Sequence, residues 1–253
     1  MKNVSILGCG WLGKPLAISM LDKGYLVKGS STSNTNYKEF KALDIEPYVI
    51  DISATKDFDS FLSSEILIIT ITSKDIGAFK YLIEQIERSS VQKVIFISST
   101  SVYPMSNTIV SEETETIKSP LSEIENLFRK NSYFKTTIIR FAGLFGPGRH
   151  PGTWFKNNVK IPQPKGYVNL IHQEDCIKII QKVITENYWN HTLNACSNHH
   201  PTREDFYTNA RNKIDAESPV FEEKTDVKYK IISSQKLQKV LHYQFIHDNL
   251  MEV

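Results

Sequence analysis

The chain has 253 residues, of which 40% are hydrophobic and 23% are charged, and its formal net charge is +2. These values are ordinary for a globular protein and exclude the strongly basic surface that attracts nucleic acids or anionic membranes. No apolar run approaches the roughly 20 residues needed to span a bilayer. The first residues read as an apolar strand and not as a basic segment followed by an apolar one, so we expect no signal peptide. Because Cys9, Cys176 and Cys196 are scattered, no disulfide framework is indicated, and we expect a cytoplasmic protein with neither a nucleic-acid nor a membrane partner.

Short apolar segments alternate with helical patterns over the first 141 residues. The predicted strands cover residues 3–7, 25–30, 46–50, 65–71, 93–98 and 135–141. The predicted helices cover residues 11–23, 37–43, 76–88 and 121–131. Strands that alternate with helices and are apolar on both faces indicate a parallel sheet covered on both sides. With the right-handed crossover rule, the pattern predicts an α/β fold of the Rossmann type, with a doubly wound parallel sheet.

The regular alternation ends after Phe141, where "GLFGPGRHPGTW" has the Gly and Pro content of a loop. Shorter elements follow. They are the strands "YVNLIH" and "HTLNACS" and helices near residues 174–185, 202–213 and 234–241. No change of composition marks a linker. We therefore predict a single domain over residues 1–253, in which residues from about 143 to 253 form a small C-terminal α/β substrate lobe.

A glycine-rich loop joins the first predicted strand to the first helix. The segment "ILGCGWLGKPLA" contains Gly8-x-Gly10-x-x-Gly13 in the strand–loop–helix context that dinucleotide binding requires. Gly8 allows the tight turn, Gly10 lets a pyrophosphate approach the backbone, and Gly13 lets the helix pack closely. The alternative is an ordinary turn that binds nothing. Trp11 can either cover the pyrophosphate or fill the cleft.

The end of the second strand bears on the choice of dinucleotide. A carboxylate there binds the 2′-hydroxyl of NAD, but this strand ends Ser30-Ser31-Thr32, whose hydroxyls can bond a 2′-phosphate. We therefore expect NADP or NAD as cofactor, with NADP favoured. Asp51 can bond the adenine amino group or serve only as a turn carboxylate. The expected cofactor contacts are Gly8, Gly10, Trp11, Leu12, Gly13, Ser30, Ser31, Thr32, Asp51 and Thr70.

Five segments, in this order, carry a family resemblance: "GCGWLG", "FISSTSVYP", "IIRFAGLFGPGR", "VNLIHQEDC" and "SSQKLQKVLHY". Together they resemble the NAD-dependent epimerase/dehydratase branch of the short-chain dehydrogenase/reductase superfamily, in its extended and atypical forms. The resemblance covers nearly the whole chain. It implies that Ser99 binds a substrate oxygen, and it allows a homodimer. The alternative for Ser99 is a hydroxyl satisfied by the backbone at the end of a strand.

The sequence departs from that family at the catalytic pair. The family's Tyr-x-x-x-Lys motif supplies a general acid or base and a lysine that holds the nicotinamide ribose. Matching on "SP" places Leu121 at the tyrosine position and Glu125 at the lysine position, and neither can do that chemistry. Tyr103 is the candidate substitute proton donor, although this tyrosine commonly packs structurally in such proteins. The predicted catalytic residues are therefore Ser99 and Tyr103.

The predicted substrate-binding residues also differ from those of the family. Gly143 stands where the nucleotide-sugar enzymes carry an asparagine that helps to bind the diphosphate. Arg149 and His150 can still hold an anionic group, because a guanidinium binds phosphate or carboxylate through two hydrogen bonds. His172 completes the predicted substrate-binding set, with a structural role as its alternative. His199 and His200 lack the further ligands that a metal site requires, so no metal is expected.

Two functions remain open from the sequence. The first is an NAD(P)-dependent oxidoreductase or epimerase/dehydratase-like enzyme that acts on a small carbonyl or sugar-like molecule. The second is a catalytically inactive dinucleotide-binding scaffold or redox sensor, which the loss of the tyrosine and lysine favours.

Overall fold

The structure is a computed structural model that describes residues 2–155, 159–223 and 227–252. Its strands are β1 (Asn3–Leu7), β2 (Leu26–Ser31), β3 (Glu46–Val49), β4 (Ile66–Ile69), β5 (Lys93–Ser99), β6 (Ile109–Val110), β7 (Lys135–Phe141), β8 (Gly143–Phe145), β9 (Leu170–His172), β10 (Thr192–Ala195) and β11 (Ile231–Ile232). Its helices are α1 (Gly13–Leu21), α2 (Tyr37–Ala42), α3 (Ile76–Glu87), α4 (Pro120–Lys130), α5 (Gln173–Thr185), α6 (Arg203–Asn212) and α7 (Gln235–Leu241). Among the described residues, no helix combines the length and the apolar character needed to cross a membrane.

Seven strands form one sheet in the order β10-β7-β5-β4-β1-β2-β3. The pairs β1–β2, β1–β4, β2–β3 and β4–β5 are parallel. The order reverses direction at β1, next to β4, which makes the sheet doubly wound. The predicted α/β fold of the Rossmann type is thereby confirmed.

The first helix begins two residues later than the sequence pattern predicts. Trp11 and Leu12 lie in the turn before α1, which starts at Gly13. The amide of Lys14 donates to the carbonyl of Gly10 at 3.0 Å, so the glycine loop itself forms the entry to the helix. No side chain caps this end of α1. Backbone geometry, which hydrophobic periodicity does not report, therefore sets the helix start.

A large aromatic core packs α3 and α4 against the sheet. The rings of Phe96 on β5 and Phe128 on α4 are stacked with centroids 4.8 Å apart. Phe79 on α3 meets both rings at their edges. All three side chains are buried, and burial of each one contributes about 1.5–3 kcal/mol of hydrophobic stabilisation. This core holds the carboxyl ends of β4 and β5 in place.

The chain divides into two compact units. Unit 1 contains Met1–Ser98, Lys118–Ile139 and Ile180–Thr192. Unit 2 contains Ser99–Ile117, Arg140–Ile179 and Leu193–Val253. The predicted division into one domain with a substrate lobe from about residue 143 stays a prediction.

Short strands that pair over long sequence distances organise unit 2. β6 pairs with β11 in parallel, and β8 pairs with β9 in parallel. Helix α6 packs Phe206 and Tyr207 into a second hydrophobic cluster, which also contains Phe145 and Leu250. These contacts bring residues near the end of the chain beside the segments that follow β5 and β7.

Candidate functional site

The three glycines of the loop in unit 1 differ in the space around them. Gly8 has φ +100°, a conformation that favours glycine, and a Cβ there would lie 2.6 Å from Cγ2 of Ile71. A Cβ on Gly13 would lie 2.2 Å from the carbonyl oxygen of Gly8. By contrast, a Cβ on Gly10 would meet no heavy atom of the described residues within 4 Å. Gly8 and Gly13 are thus required by the fold, whereas Gly10 leaves open space beside the backbone.

Two hydroxyl side chains hold the backbone of this loop by hydrogen bonds. Ser30, only 1% exposed, accepts the Gly8 amide hydrogen at its Oγ (3.0 Å), and its carbonyl accepts from the Cys9 amide at 2.7 Å. Thr70 Oγ1 donates to the carbonyl of Gly8 at 2.7 Å. Both residues were predicted as cofactor contacts, and the structure places them as supports of the loop. Burial raises the pKa of the Cys9 thiol in the same loop to about 12, so this thiol stays protonated.

Three of the remaining predicted cofactor residues lie at or near the carboxyl ends of β2 and β3. Ser31 Oγ donates to the carbonyl of Ser33 at 2.5 Å, and Thr32 is exposed. Asp51 is exposed, and its Oδ1 accepts the amide hydrogen of Ser53 at 2.9 Å. This hydrogen bond is typical of a carboxylate that stabilises a turn, which was the alternative to adenine binding for Asp51. The other two predicted cofactor residues, Trp11 and Leu12, lie in the turn before α1. Trp11 is half-buried and Leu12 is buried.

The residues at the family's tyrosine and lysine positions lie in unit 1. Leu121 packs against the aromatic core. Glu125 is 1% exposed and accepts a hydrogen bond from Ser98 Oγ at its Oε1 (2.6 Å). Arg129, one helical turn later, lies 3.2 Å from Oε2 of Glu125. The carboxylate is therefore held by a hydroxyl and a guanidinium within its own unit.

Ser99 lies in unit 2, at the start of a short 3₁₀ turn that follows β5. Its Oγ accepts the amide hydrogen of Ser101 at 3.1 Å. This bond uses one lone pair and leaves the Ser99 hydroxyl hydrogen available, so a contact with a substrate oxygen stays compatible with the geometry.

Tyr103, the predicted substitute proton donor, is 2% exposed. Its hydroxyl donates to Asn194 Oδ1 at 2.8 Å and accepts from Arg140 Nη1 at 2.6 Å. The Arg140 guanidinium also lies over the ring, 4.9 Å from its centroid. Burial raises the pKa of Tyr103, although Arg140 opposes the rise. This geometry favours the structural alternative, and the catalytic role of Tyr103 stays a prediction.

The predicted substrate-binding residues lie on the loop after β8 and at the end of β9. His150 and His172 line the same cavity of about 380 Å³ in unit 2. Arg149 is exposed, and its main chain pairs with that of Gly146. The structure thus brings the two histidines together in one cavity, and Arg149 does not line it.

Residues from the end of the chain complete this cavity, and the sequence patterns did not reveal them. The rings of His172 and His247 are 3.7 Å apart between centroids, and His247 Nε2 lies 3.1 Å from Glu174 Oε2. Ligand atoms of these three residues lie within 4.8 Å of one another. However, His172 Nδ1 already accepts the Glu174 amide hydrogen at 3.2 Å. Burial and His247 lower the pKa of His172, and the cluster is held by its own contacts, which favours a structural role over metal binding.

Lys230 is the other residue that the sequence analysis missed. It lies in unit 2 and is 8% exposed, and its Nζ donates to the carbonyl oxygens of Thr100 (2.9 Å) and Tyr103 (2.6 Å). Its neighbours Tyr229 and Ile231 are half-buried, and the apolar pair Ile231-Ile232 after it was the one sign that this lysine does not face solvent.

Comparison with known proteins gives a relative that matches over nearly the full length. The chain is 31% identical to protein YeeZ of Escherichia coli K12 over 266 residues, which covers 97% of this chain and 96% of YeeZ. No family model matches the chain.

Two solved structures have the same fold. A functionally unknown conserved protein from Silicibacter pomeroyi matches with a TM-score of 0.85 and 18% identity over 100% of this chain and 96% of its own. The UDP-glucuronic acid 4-epimerase of Bacillus cereus, solved in complex with NAD, matches with a TM-score of 0.79 and 17% identity over 99% of this chain and 95% of its own. The resemblance to the NAD-dependent epimerase/dehydratase branch is thus confirmed for the fold.

Proposed function

This chain belongs to the family of the Escherichia coli protein YeeZ, and from that premise and the site geometry we propose that it binds a nicotinamide dinucleotide at the glycine loop. We propose further that it is an atypical short-chain dehydrogenase/reductase-like enzyme. Its reaction class is oxidoreductase or epimerase/dehydratase-like, and its substrate is a small carbonyl or sugar-like molecule.

The open space at Gly10 is the observation that carries the proposal. Gly8 and Gly13 have steric reasons to be glycine within the fold, but Gly10 has none among the described residues. Gly10 lies at the entry of a helix whose first amides carry partial positive charge. Since no contact within the described protein requires a glycine there, its missing side chain fits a pyrophosphate that approaches the backbone. The fold agrees with this assignment, since the Bacillus cereus epimerase of the same fold is in complex with NAD.

The choice between the two dinucleotides depends on the end of β2. Ser31, Thr32 and Ser33 provide hydroxyls there, and this stretch contains no carboxylate that would select the 2′-hydroxyl of NAD. Lys38 lies exposed on α2 and can add positive charge near a 2′-phosphate. NADP is therefore the favoured cofactor, and NAD is the alternative.

On the substrate side, we assign Ser99 to a substrate oxygen and His150, His172 and Arg149 to the rest of the molecule. The proton of the reaction is supplied by a group other than the family's tyrosine, because Leu121 cannot exchange one. Tyr103 is the candidate, although its hydroxyl must first release the hydrogen bond that it donates to Asn194.

Gly10→Ala tests the dinucleotide site without disturbing the fold. The added methyl group meets no protein atom of the described residues, so the melting temperature should stay within about one degree of the wild type. The methyl group would face the pyrophosphate, and NADPH affinity should fall by about tenfold or more. Calorimetric titration gives the affinity, and Gly77→Ala on α3, where a Cβ also fits, is the matched control. Unchanged NADPH affinity in Gly10→Ala would remove the proposed site.

An inactive scaffold or redox sensor is the second candidate, and the contacts of Glu125 favour it. Its carboxylate is held by Ser98 and Arg129, so this position has its own structural role in unit 1. An assay of hydride transfer over a panel of carbonyls and alcohols separates the two candidates. Turnover of any of them with bound cofactor supports the enzyme, whereas tight cofactor binding without turnover supports the sensor.

A further inference from the structure

Lys230 is a buried cation whose surroundings do not neutralise it. In residues 2–155, 159–223 and 227–252, no carboxylate oxygen lies within ion-pair distance of its Nζ. Burial lowers its pKa, and no neighbouring negative charge offsets that effect. A buried ammonium without a counter-charge loses much of its hydration free energy, and hydrogen bonds to carbonyls recover only part of that loss.

The position of this cation is fixed relative to the Ser99 turn. Its two acceptors are the carbonyls of Thr100 and Tyr103, at the start and the end of the 3₁₀ turn that Ser99 caps. On the other side, Asn169 Nδ2 donates to the carbonyl of Lys230 at 2.9 Å and fixes the backbone. An ammonium has three N–H groups, and the two carbonyls use two of them. The third N–H and the net charge remain for another group.

We propose that Lys230 is a binding residue for a negatively charged oxygen group of the substrate, a carboxylate or a phosphate, beside Ser99. An oxyanion there would accept the third N–H and would neutralise the buried charge. Ser99 caps the turn that Lys230 contacts and keeps its own hydroxyl hydrogen, and that hydroxyl would be a second donor to the same ligand. The inference rests on the proposed function only in assigning the anion to the substrate, because the anion site itself can be tested without cofactor or turnover.

The ammonium pKa is a direct readout of this site. Lysine labelled with ¹³C at Cε gives one ¹H–¹³C signal per residue, and the signal that disappears in Lys230→Arg belongs to Lys230. We expect the wild-type pKa of Lys230 to rise by about one unit or more when acetate or phosphate is added, because an adjacent negative charge favours the protonated form. Chloride at the same ionic strength should leave it unchanged.

The two anions distinguish the two sources of the charge. A saturable rise with acetate alone assigns a carboxylate, and a rise with phosphate alone assigns a phosphate. If neither acetate nor phosphate raises the pKa of Lys230 more than chloride does, the lysine only stabilises the turn and the proposal is overturned.

Two variants separate this site from the dinucleotide site. Lys230→Met keeps the length and the apolar stem of the side chain and should lose the anion response, measured as the loss of the acetate- or phosphate-dependent rise in melting temperature. Lys228→Met, two residues earlier and exposed, is the matched control and should keep that response. Both should bind NADPH like the wild type, so a failure of dinucleotide binding would be seen separately from a failure of the anion site.

Discussion

Gly13 shows how closely α1 approaches the turn that follows β1. A Cβ at this position would lie 2.2 Å from the Gly8 carbonyl oxygen and 2.9 Å from Thr70 Oγ1. The first of these atoms belongs to the backbone and cannot move aside without changing the loop. The same Thr70 hydroxyl donates to Gly8, so crowding at Gly13 also disturbs this hydrogen bond to the loop.

Gly13→Ala should therefore destabilise the protein itself. We expect the free energy of unfolding to fall by about 1–3 kcal/mol, the usual cost of adding a methyl group to a closely packed site. Urea denaturation followed by circular dichroism measures it. Gly10→Ala serves as the control, since the same methyl group finds open space three residues earlier. Equal stability of the two variants would contradict the distinction drawn between these glycines.

Glu125 limits what can be learned by restoring the family's catalytic pair. A lysine at this position would lose the bond from Ser98 and would place an ammonium near the guanidinium of Arg129. We expect such a variant to be destabilised by the buried, unneutralised charge, whether or not the pocket could catalyse. Leu121→Tyr on its own, which leaves the Glu125 contacts intact, is the cleaner test of a missing proton donor.

At the scale of elements, the start of α5 holds the last segment of the chain. Asp175 is fully buried and accepts hydrogen bonds from Tyr243 Oη (2.7 Å) and from the amides of Ile246 (2.8 Å) and His247 (3.1 Å). Two of these donors are backbone groups of the segment that lines the 380 Å³ cavity. One carboxylate thus fixes the backbone of a segment of the cavity wall.

Asp175→Asn should loosen that segment. An amide offers one acceptor oxygen, and its NH₂ group faces the remaining donors, so we expect a loss of about 1.5–3 kcal/mol in local stability. Hydrogen exchange at the Ile246 and His247 amides should accelerate by about tenfold or more, the equivalent of about 1.4 kcal/mol. Glu174→Gln keeps an acceptor oxygen for His247 Nε2 and leaves the bonds from the two amides to Asp175 intact, so it should change these rates little. Exchange rates as slow as in the wild type would show that other contacts hold the segment.

The elements that the sequence predicted are those with a local signal. Apolar runs such as residues 93–98 and 135–141 stand out by composition, and the structure has strands there. The strands β6, β8 and β11 gave no such signal, because strands of two or three residues are defined by partners far away in the chain. β9 lies within the predicted strand "YVNLIH", but it contains only the last three of those six residues. Ile231 pairs with Ile109 across more than a hundred residues.

The residues of the candidate site also fall into those that the sequence predicted and those that only the structure revealed. The glycine loop was predictable because its residue types and spacing have a direct steric meaning, which the space around Gly8 and Gly13 matches. Lys230 and His247 were not predictable, since only tertiary contacts turn an ordinary lysine or histidine into part of a buried site. Ser30 fits the predicted position, but its burial beneath Gly8 could be recognised only from the structure.

In the molecule as a whole, each unit contributes a different part of the proposed function. Unit 1 provides the glycine loop, whose open position at Gly10 is proposed to bind the dinucleotide. Unit 2 contains Ser99, the buried Lys230 and the cavity with His150 and His172. The proposed enzyme needs both units, whereas a scaffold or sensor needs only the first site to be occupied.

Calorimetric titration of the purified protein with NADPH and with NADH shows whether the glycine loop binds a nicotinamide dinucleotide. We expect micromolar binding at one site per chain, tighter for NADPH because the end of β2 offers hydroxyls and no carboxylate. If neither dinucleotide gives binding heat with protein that melts cooperatively, the glycine loop is not a dinucleotide site.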